Sequence, residues 1–185
     1  MEQMEQIEAH VADLKILTAA GEPVRLGSLW AERPLLLVLM RHFGCIFCKE
    51  HIARLREILP EVRAMGVDVA VIGNGTPFMA QAFVEDYAFD VPVFTNPERD
   101  VYQALGAKRP SWAFILNPRF YLNSLRVLSK GHRQGKTQGD KAQLGGVFIV
   151  LPGGAMPYAH RSEIAGDIPG NDRVLRELRG VLAAR

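Results

Sequence analysis

Residues 35–40 read Leu-Leu-Leu-Val-Leu-Met, apolar at every position. A strand with one wet face alternates apolar and polar side chains, so a short unbroken apolar run fits a strand covered on both faces. A buried helix is the competing reading, but six residues are few for one. VDVAVIG (67–73) and GGVFIV (145–150) repeat the pattern. Strands of this kind need helices on both sides of one sheet, and the intervening segments supply them. Cys48, Ile52, Leu55, Leu59 and Val62 step by 4, 3, 4 and 3, an apolar stripe on a helix that Gly66 should stop. Residues 77–88 and 98–106 read as further helices, the second ended by Gly106. Residues 171–184 read as a closing helix capped by Asn171 or Asp172. LKIL (14–17) and PVRL (23–26) flank Gly21 as a hairpin, and VPVF (91–94) is a short strand. AMPYAH (155–160) reads as an outer strand. Its Pro157 suggests a sheet edge, which leaves room for a homodimer. Residues 111–128 fit neither period, and the glycine-rich, apolar-poor stretch 130–145 reads as a loop. The expectation is an α/β chain with a central mixed sheet flanked by helices, one domain over residues 1–185.

Composition narrows the function. Lys and Arg number 22 against 20 Asp and Glu, a net charge of +2. That is too small to argue for nucleic acid. No apolar run approaches the ~20 residues of a membrane helix. The first residues, MEQMEQIEAH, have neither the basic nor the apolar region of a signal peptide. A cytoplasmic protein without a membrane or nucleic-acid partner is expected. Cys45 and Cys48 are the two cysteines, too few and too close together for a secreted disulfide scaffold.

The pair lies in RHFGCIFCKE (41–50), between the first apolar strand and the striped helix. Catalytic groups gather at the carboxyl ends of strands in open α/β sheets. Sulfurs three residues apart in one helical turn can meet, and free N–H groups at a helix start favour the thiolate, which is the nucleophile. Arg41 and Lys49 add positive charge nearby. Cys48 opens the apolar stripe and should face inward, with Cys45 after Gly44 at an exposed tip. On geometry alone Cys45 attacks and Cys48 resolves. The same segment contains H-x2-C-x2-C-x2-H, with His42 and His51 at its ends. Steps of three along a helix rotate by about −60° each, which sets the histidines on opposite sides unless the chain enters the helix bent, so no metal is expected. Other features carry less. Arg109 lies in AKRPSW and reads as a solvated arginine or one near the active face. Residues 119–141 hold six basic side chains against Asp140 alone, either a solvated loop or an anion-attracting one. GNGTP (73–77) lacks the Lys-Ser/Thr ending of a phosphate loop and reads as a strand-to-helix turn.

Several segments in order resemble the peroxiredoxin-like AhpC/TSA antioxidant family of the thioredoxin-like superfamily. AAGEPVRLGSLWAERPLLLVLMRHFGC is similar to its opening hairpin, short helix and central strand, and MRHFGCIFCKE to its redox motif. VPVFTNPERDVYQALGAKR and QGDKAQLGGVFIVLPGGAMPYAHR are similar to its later strand, helix and last hairpin. The resemblance implies a thioredoxin-like fold and thiol redox chemistry. Overlaid on the typical P-x-x-x-T-x-x-C motif, Arg41 stands in place of the proline and Cys45 in place of the threonine. Cys48 then takes the peroxide-attacking position. The typical arginine before the penultimate strand falls at Gly145, and a thioredoxin's cis-proline is missing there too. Gly145 and Gly146 would instead let a substrate backbone approach closely. The order of attack is therefore open. The expected function is a Cys45–Cys48 dithiol/disulfide cycle that reduces peroxides or disulfides. A thiol reductant such as a thioredoxin or small thiol would restore it, with no cofactor. The alternative is a redox-sensing or binding module without efficient turnover.

Overall fold

The computed structural model describes residues 5–88, 90–109, 140 and 142–184. Nine strands are placed among these residues: β1 (Glu5–Gln6), β2 (Lys15–Thr18), β3 (Pro23–Arg25), β4 (Leu35–Leu39), β5 (Asp68–Gly73), β6 (Val93–Thr95), β7 (Gly146–Val150), β8 (Ala155–Met156) and β9 (Tyr158–Arg161). The helices are α1 (Ala9–Ala12), α2 (Ile46–Ala64), α3 (Pro77–Tyr87), α4 (Asp100–Ala104) and α5 (Asn171–Ala183). A 3-10 turn spans Leu26–Trp30.

Seven strands form one mixed sheet in the order β3-β2-β6-β5-β4-β7-β9. β4 is an interior strand, parallel to β5 and antiparallel to β7. Every residue of β4 is buried, and the reason is the period of two along a strand. Leu36, Val38 and Met40 enter a core with Leu55 and Val62 of α2, Phe83 of α3 and Leu178 of α5. Leu35, Leu37 and Leu39 point the other way, onto Ile16, Leu26, Trp30 and Tyr102. The unbroken apolar run thus serves two cores.

α2 is the longest helix, and its stripe residues Ile52, Leu55, Leu59 and Val62 are all buried. It stops as its sequence requires. Gly66 adopts φ +73, while Gly66 N–H donates to Arg63 O and Val67 N–H to Val62 O. This is the Schellman pattern, which needs a left-handed residue after the helix.

Three boundaries differ from the sequence expectation. The outer strand 155–160 is two strands, divided at Pro157. β8 leaves the main sheet to pair with β1, and β9 is the edge strand beside β7. Pairing on β6 begins at Val93 rather than Val91, because Pro92 has no N–H to give. The cap of α5 is Gly170, not Asn171 or Asp172. Asn171 Nδ2 instead donates to the Arg54 carbonyl at 2.8 Å and to Glu57 at 3.0 Å, tying α5 to α2. Segments 111–128 and 130–139 lie outside the described residues, as does most of the basic stretch.

Candidate active site

The carboxyl end of β4 delivers the chain into α2 through Arg41, His42, Phe43 and Gly44. Cys45 has extended backbone angles, φ −76 and ψ 128, and is the N-cap of α2. Cys48 is then the third helical residue. N-cap side chains face the first free N–H groups of a helix. No full capping bond reaches Cys45 Sγ, but the N–H groups of Phe47 and Cys48 lie close enough to favour its thiolate. Both sulfurs are free thiols.

The two cysteines are unlike electrostatically. The Cys45 pKa is held down to about 6. The leading cause is the hydrogen bond from the Cys48 thiol, opposed by burial and reinforced by the Arg41 charge. Arg41 Nη1 stands 3.4 Å from Cys45 Sγ. Cys48 is pushed well above the ordinary thiol range, first by keeping its proton for Cys45 and then by burial. The two thiols titrate as a coupled pair, and the proton that Cys48 donates toward Cys45 favours the thiolate on Cys45.

Access runs the other way. Cys45 is 1% exposed, so the expected exposed tip is not there; Cys48 is 4% exposed. Phe43 and Phe47 are buried as well, the Phe43 ring lying against Gly73 and Phe83. A narrow cleft with room for about 20 Å³ opens beside Cys48, between Arg41, Phe47, His51, Gly145 and the 162–169 segment. Cys45 is not among its lining residues. Most of the wall is apolar, with Leu39, Met40, Val147, Ile164, Ile168 and Pro169, while Ser162 and Asp167 are polar.

Other sequence candidates fall into place around this pair. Lys49 points away from the sulfurs, its Nζ 5.8 Å from the centre of the Tyr87 ring. His42 is buried in the turn. His51 lines the cleft, its pKa lowered to about 4 by burial and by Arg54. Among the described residues no three His, Cys, Asp or Glu side chains converge to hold a metal. Gly145 and Gly146 serve the protein's own backbone. A Cβ on Gly145 would lie 2.0 Å from the Leu39 carbonyl oxygen, and one on Gly146 2.6 Å from that of His160. Gly73, of the GNGTP turn, makes room for the Phe43 ring, 2.4 Å from where a Cβ would stand. Arg109 pairs with Asp140 at 2.8 Å.

Two supporting residues were not singled out from sequence. Tyr102 Oη shares its proton between the Met40 and Ile72 carbonyls, at 2.7 and 2.9 Å. It locks the ends of β4 and β5 beneath the cysteines. Asn74, at the end of β5, holds the Arg41 carbonyl. Its place at the carboxyl end of a strand neighbouring β4 was the available signal.

The AhpC/TSA antioxidant enzyme family profile matches residues 54–163. Peroxiredoxin-like 2C of Mus musculus is 32% identical over 169 residues, 86% of this chain and 75% of that protein. The chain belongs to this family. A prostamide/prostaglandin F synthase of Salmo salar is 28% identical over 183 residues, 97% of this chain and 90% of its own. Among solved structures, Xanthomonas campestris peroxiredoxin Q superposes with a TM-score of 0.69 at 15% identity, covering 97% of this chain and 98% of its own. The fold is thioredoxin-like, as the resemblance to this family implied. Among the described residues no helix is long and apolar enough to cross a membrane.

Proposed function

We propose that this chain is a thiol oxidoreductase whose Cys45 and Cys48 cycle between dithiol and disulfide. The observation that carries the reading is the unequal, hydrogen-bonded sulfur pair at the start of α2, with Arg41 against Cys45. With a peroxide, a thiolate attacks the O–O bond. One oxygen stays on sulfur as sulfenic acid, and the other leaves with a proton as an alcohol or water. The second thiol displaces water from the sulfenic sulfur, and the S–S bond forms. The cysteines lose two electrons and the peroxide gains them. An external thiol, thioredoxin-like or small, returns the electrons by exchange. With a disulfide substrate the same pair acts through a mixed disulfide.

Charge favours Cys45 as the attacking sulfur, and the cleft favours Cys48. Cys45→Ser and Cys48→Ser, each treated with peroxide and a sulfenic-acid trap, identify the sulfur that is oxidised first. In the wild type, peroxide should remove two hydrogens from the intact mass and both titratable thiols together. Thiols that stay titratable with an unchanged mass would refute the cycle. The apolar wall of the cleft puts organic hydroperoxides on the substrate panel beside hydrogen peroxide.

A second reading is favoured by the burial of both sulfurs: a redox sensor oxidised once per chain. Turnover with a thioredoxin or small-thiol reductant argues for the enzyme, and stoichiometric oxidation without turnover for the sensor. A reduced resting pair suits the cytoplasm. The short open edge at β9 suits a homodimer, which sedimentation would detect.

A further inference from the structure

Arg41 lies beyond the last residue of β4, where the ladder no longer fixes the backbone; Met40 N–H makes the final bond, to Ile72 O at 2.8 Å. A guanidinium on such a loop stays beside one sulfur only if its own backbone is anchored. Asn74 provides the anchor. Its Nδ2 donates to the Arg41 carbonyl and, at 3.2 Å, to the Asp140 carbonyl, while its Oδ1 accepts the Asp140 N–H at 2.8 Å. The side chain is 4% exposed. The amide supplies two N–H donors and an acceptor oxygen from one short side chain, and burial strengthens the three bonds.

Behind it, the Asp140 carboxylate takes the guanidinium groups of Arg99 and Arg109 and accepts the Ala142 N–H at 2.8 Å. Three donors converge on one carboxylate, so the backbone of Asp140 is held where Asn74 meets it. The chain of contacts runs from Arg99 and Arg109 through Asp140 and Asn74 to Arg41, whose Nη1 ends 3.4 Å from Cys45 Sγ.

We propose that Asn74, backed by Asp140, is a positioning residue that holds Arg41 against the Cys45 sulfur. The proposal rests on the reading of Cys45 as a working thiolate. It gives the asparagine of the GNGTP turn and the arginine of AKRPSW a place in the redox centre. Neither touches a reacting atom.

The test follows thiolate absorbance in the ultraviolet against pH in the full-length protein, which reads the first titration step of the cysteine pair without a reagent reaching the buried Cys45. Asn74→Ala and Asn74→Asp should each raise that midpoint, and a rise of about one unit from about 6 lowers the thiolate fraction at pH 6.5 about threefold. The aspartate keeps the shape but faces two carbonyls without a proton to donate. In an Arg41→Met background, Asn74→Ala should add no further shift. Asp140→Asn, which keeps the backbone contacts, should move the midpoint in the same direction by less, and serves if the Asn74 variants do not fold. Variants that keep the wild-type midpoint, or an Asn74 effect of full size without Arg41, would overturn the proposal. A wild-type Cys45 midpoint at an ordinary thiol value would sink the redox reading as well, which separates the two failures.

Discussion

His51 lies three residues after Cys48 on α2 and lines the same cleft. Burial and the Arg54 charge hold its pKa down to about 4 from an ordinary 6.5. Glu50 opposes them, and His160 adds to the repulsion. His160 itself faces Asp167, its Nε2 3.4 Å from Oδ1. Acidification therefore acts on His51 with a definite sign. The unfolded chain takes up the proton near pH 6.5, whereas the folded chain resists until about pH 4, so unfolding gains protons throughout that window. Stability contributed by neutral His51 is complete above 6.5 and is lost as pH falls toward 4. The whole window is worth about 3 kcal/mol, and about 2 kcal/mol of it falls between pH 7 and pH 5. The assay is urea unfolding at pH 7, 6 and 5 for the wild type and His51→Gln. Carboxylates and other histidines titrate in both proteins, so the difference in pH dependence isolates His51, whatever constant offset the substitution adds. The wild type should lose about 2 kcal/mol more than the variant between pH 7 and pH 5. Parallel curves would show that His51 is not kept neutral by the fold, and the burial argument would fail.

Other substitutions probe the site and its support. Cys48→Ala removes the leading cause of the low Cys45 pKa; the Cys45 thiolate titration, followed by ultraviolet absorbance, should move up from about 6, whereas Arg41→Met should raise it less. Gly145→Ala forces a methyl group onto the Leu39 carbonyl. It should cost about 2–3 kcal/mol in chemical denaturation, with lost activity following the displaced β4 end. Tyr102→Phe strips a donor from two buried carbonyls and should cost about 1–3 kcal/mol with an unchanged urea m-value.

The apolar runs 35–40, 67–73 and 145–150 announced the sheet centre because burial on both faces leaves a strand no polar positions. The stripe from Cys48 to Val62 announced α2 for the matching helical reason. Pro157 was legible as a disruption but not as a change of sheet, since the partner of β8 is β1, far away in the chain and only two residues long. The cysteine turn was legible as chemistry, while the exposure of Cys45 was misjudged. Phe43, Cys45 and Phe47 all join one apolar core, and nothing in their spacing shows that the turn folds inward. Asn74 and Asp140 are 66 residues apart. Their bond depends on the turn after β5 meeting the approach to β7, a tertiary coincidence that no local period encodes.

The pairing of Glu5 with Met156 and of Gln6 with Ala155 has a consequence for synthesis. Ile7 and Val11 belong to the same apolar cluster as Met156, and Arg161 clamps Glu5 at 2.5 Å. This segment is translated well before its strand partner, which leaves the ribosome only about 150 residues later. Until then β1 has no strand to pair with and Ile7 lacks Met156, so the nascent chain keeps an unpaired strand edge within reach of chaperones until the β8–β9 region emerges.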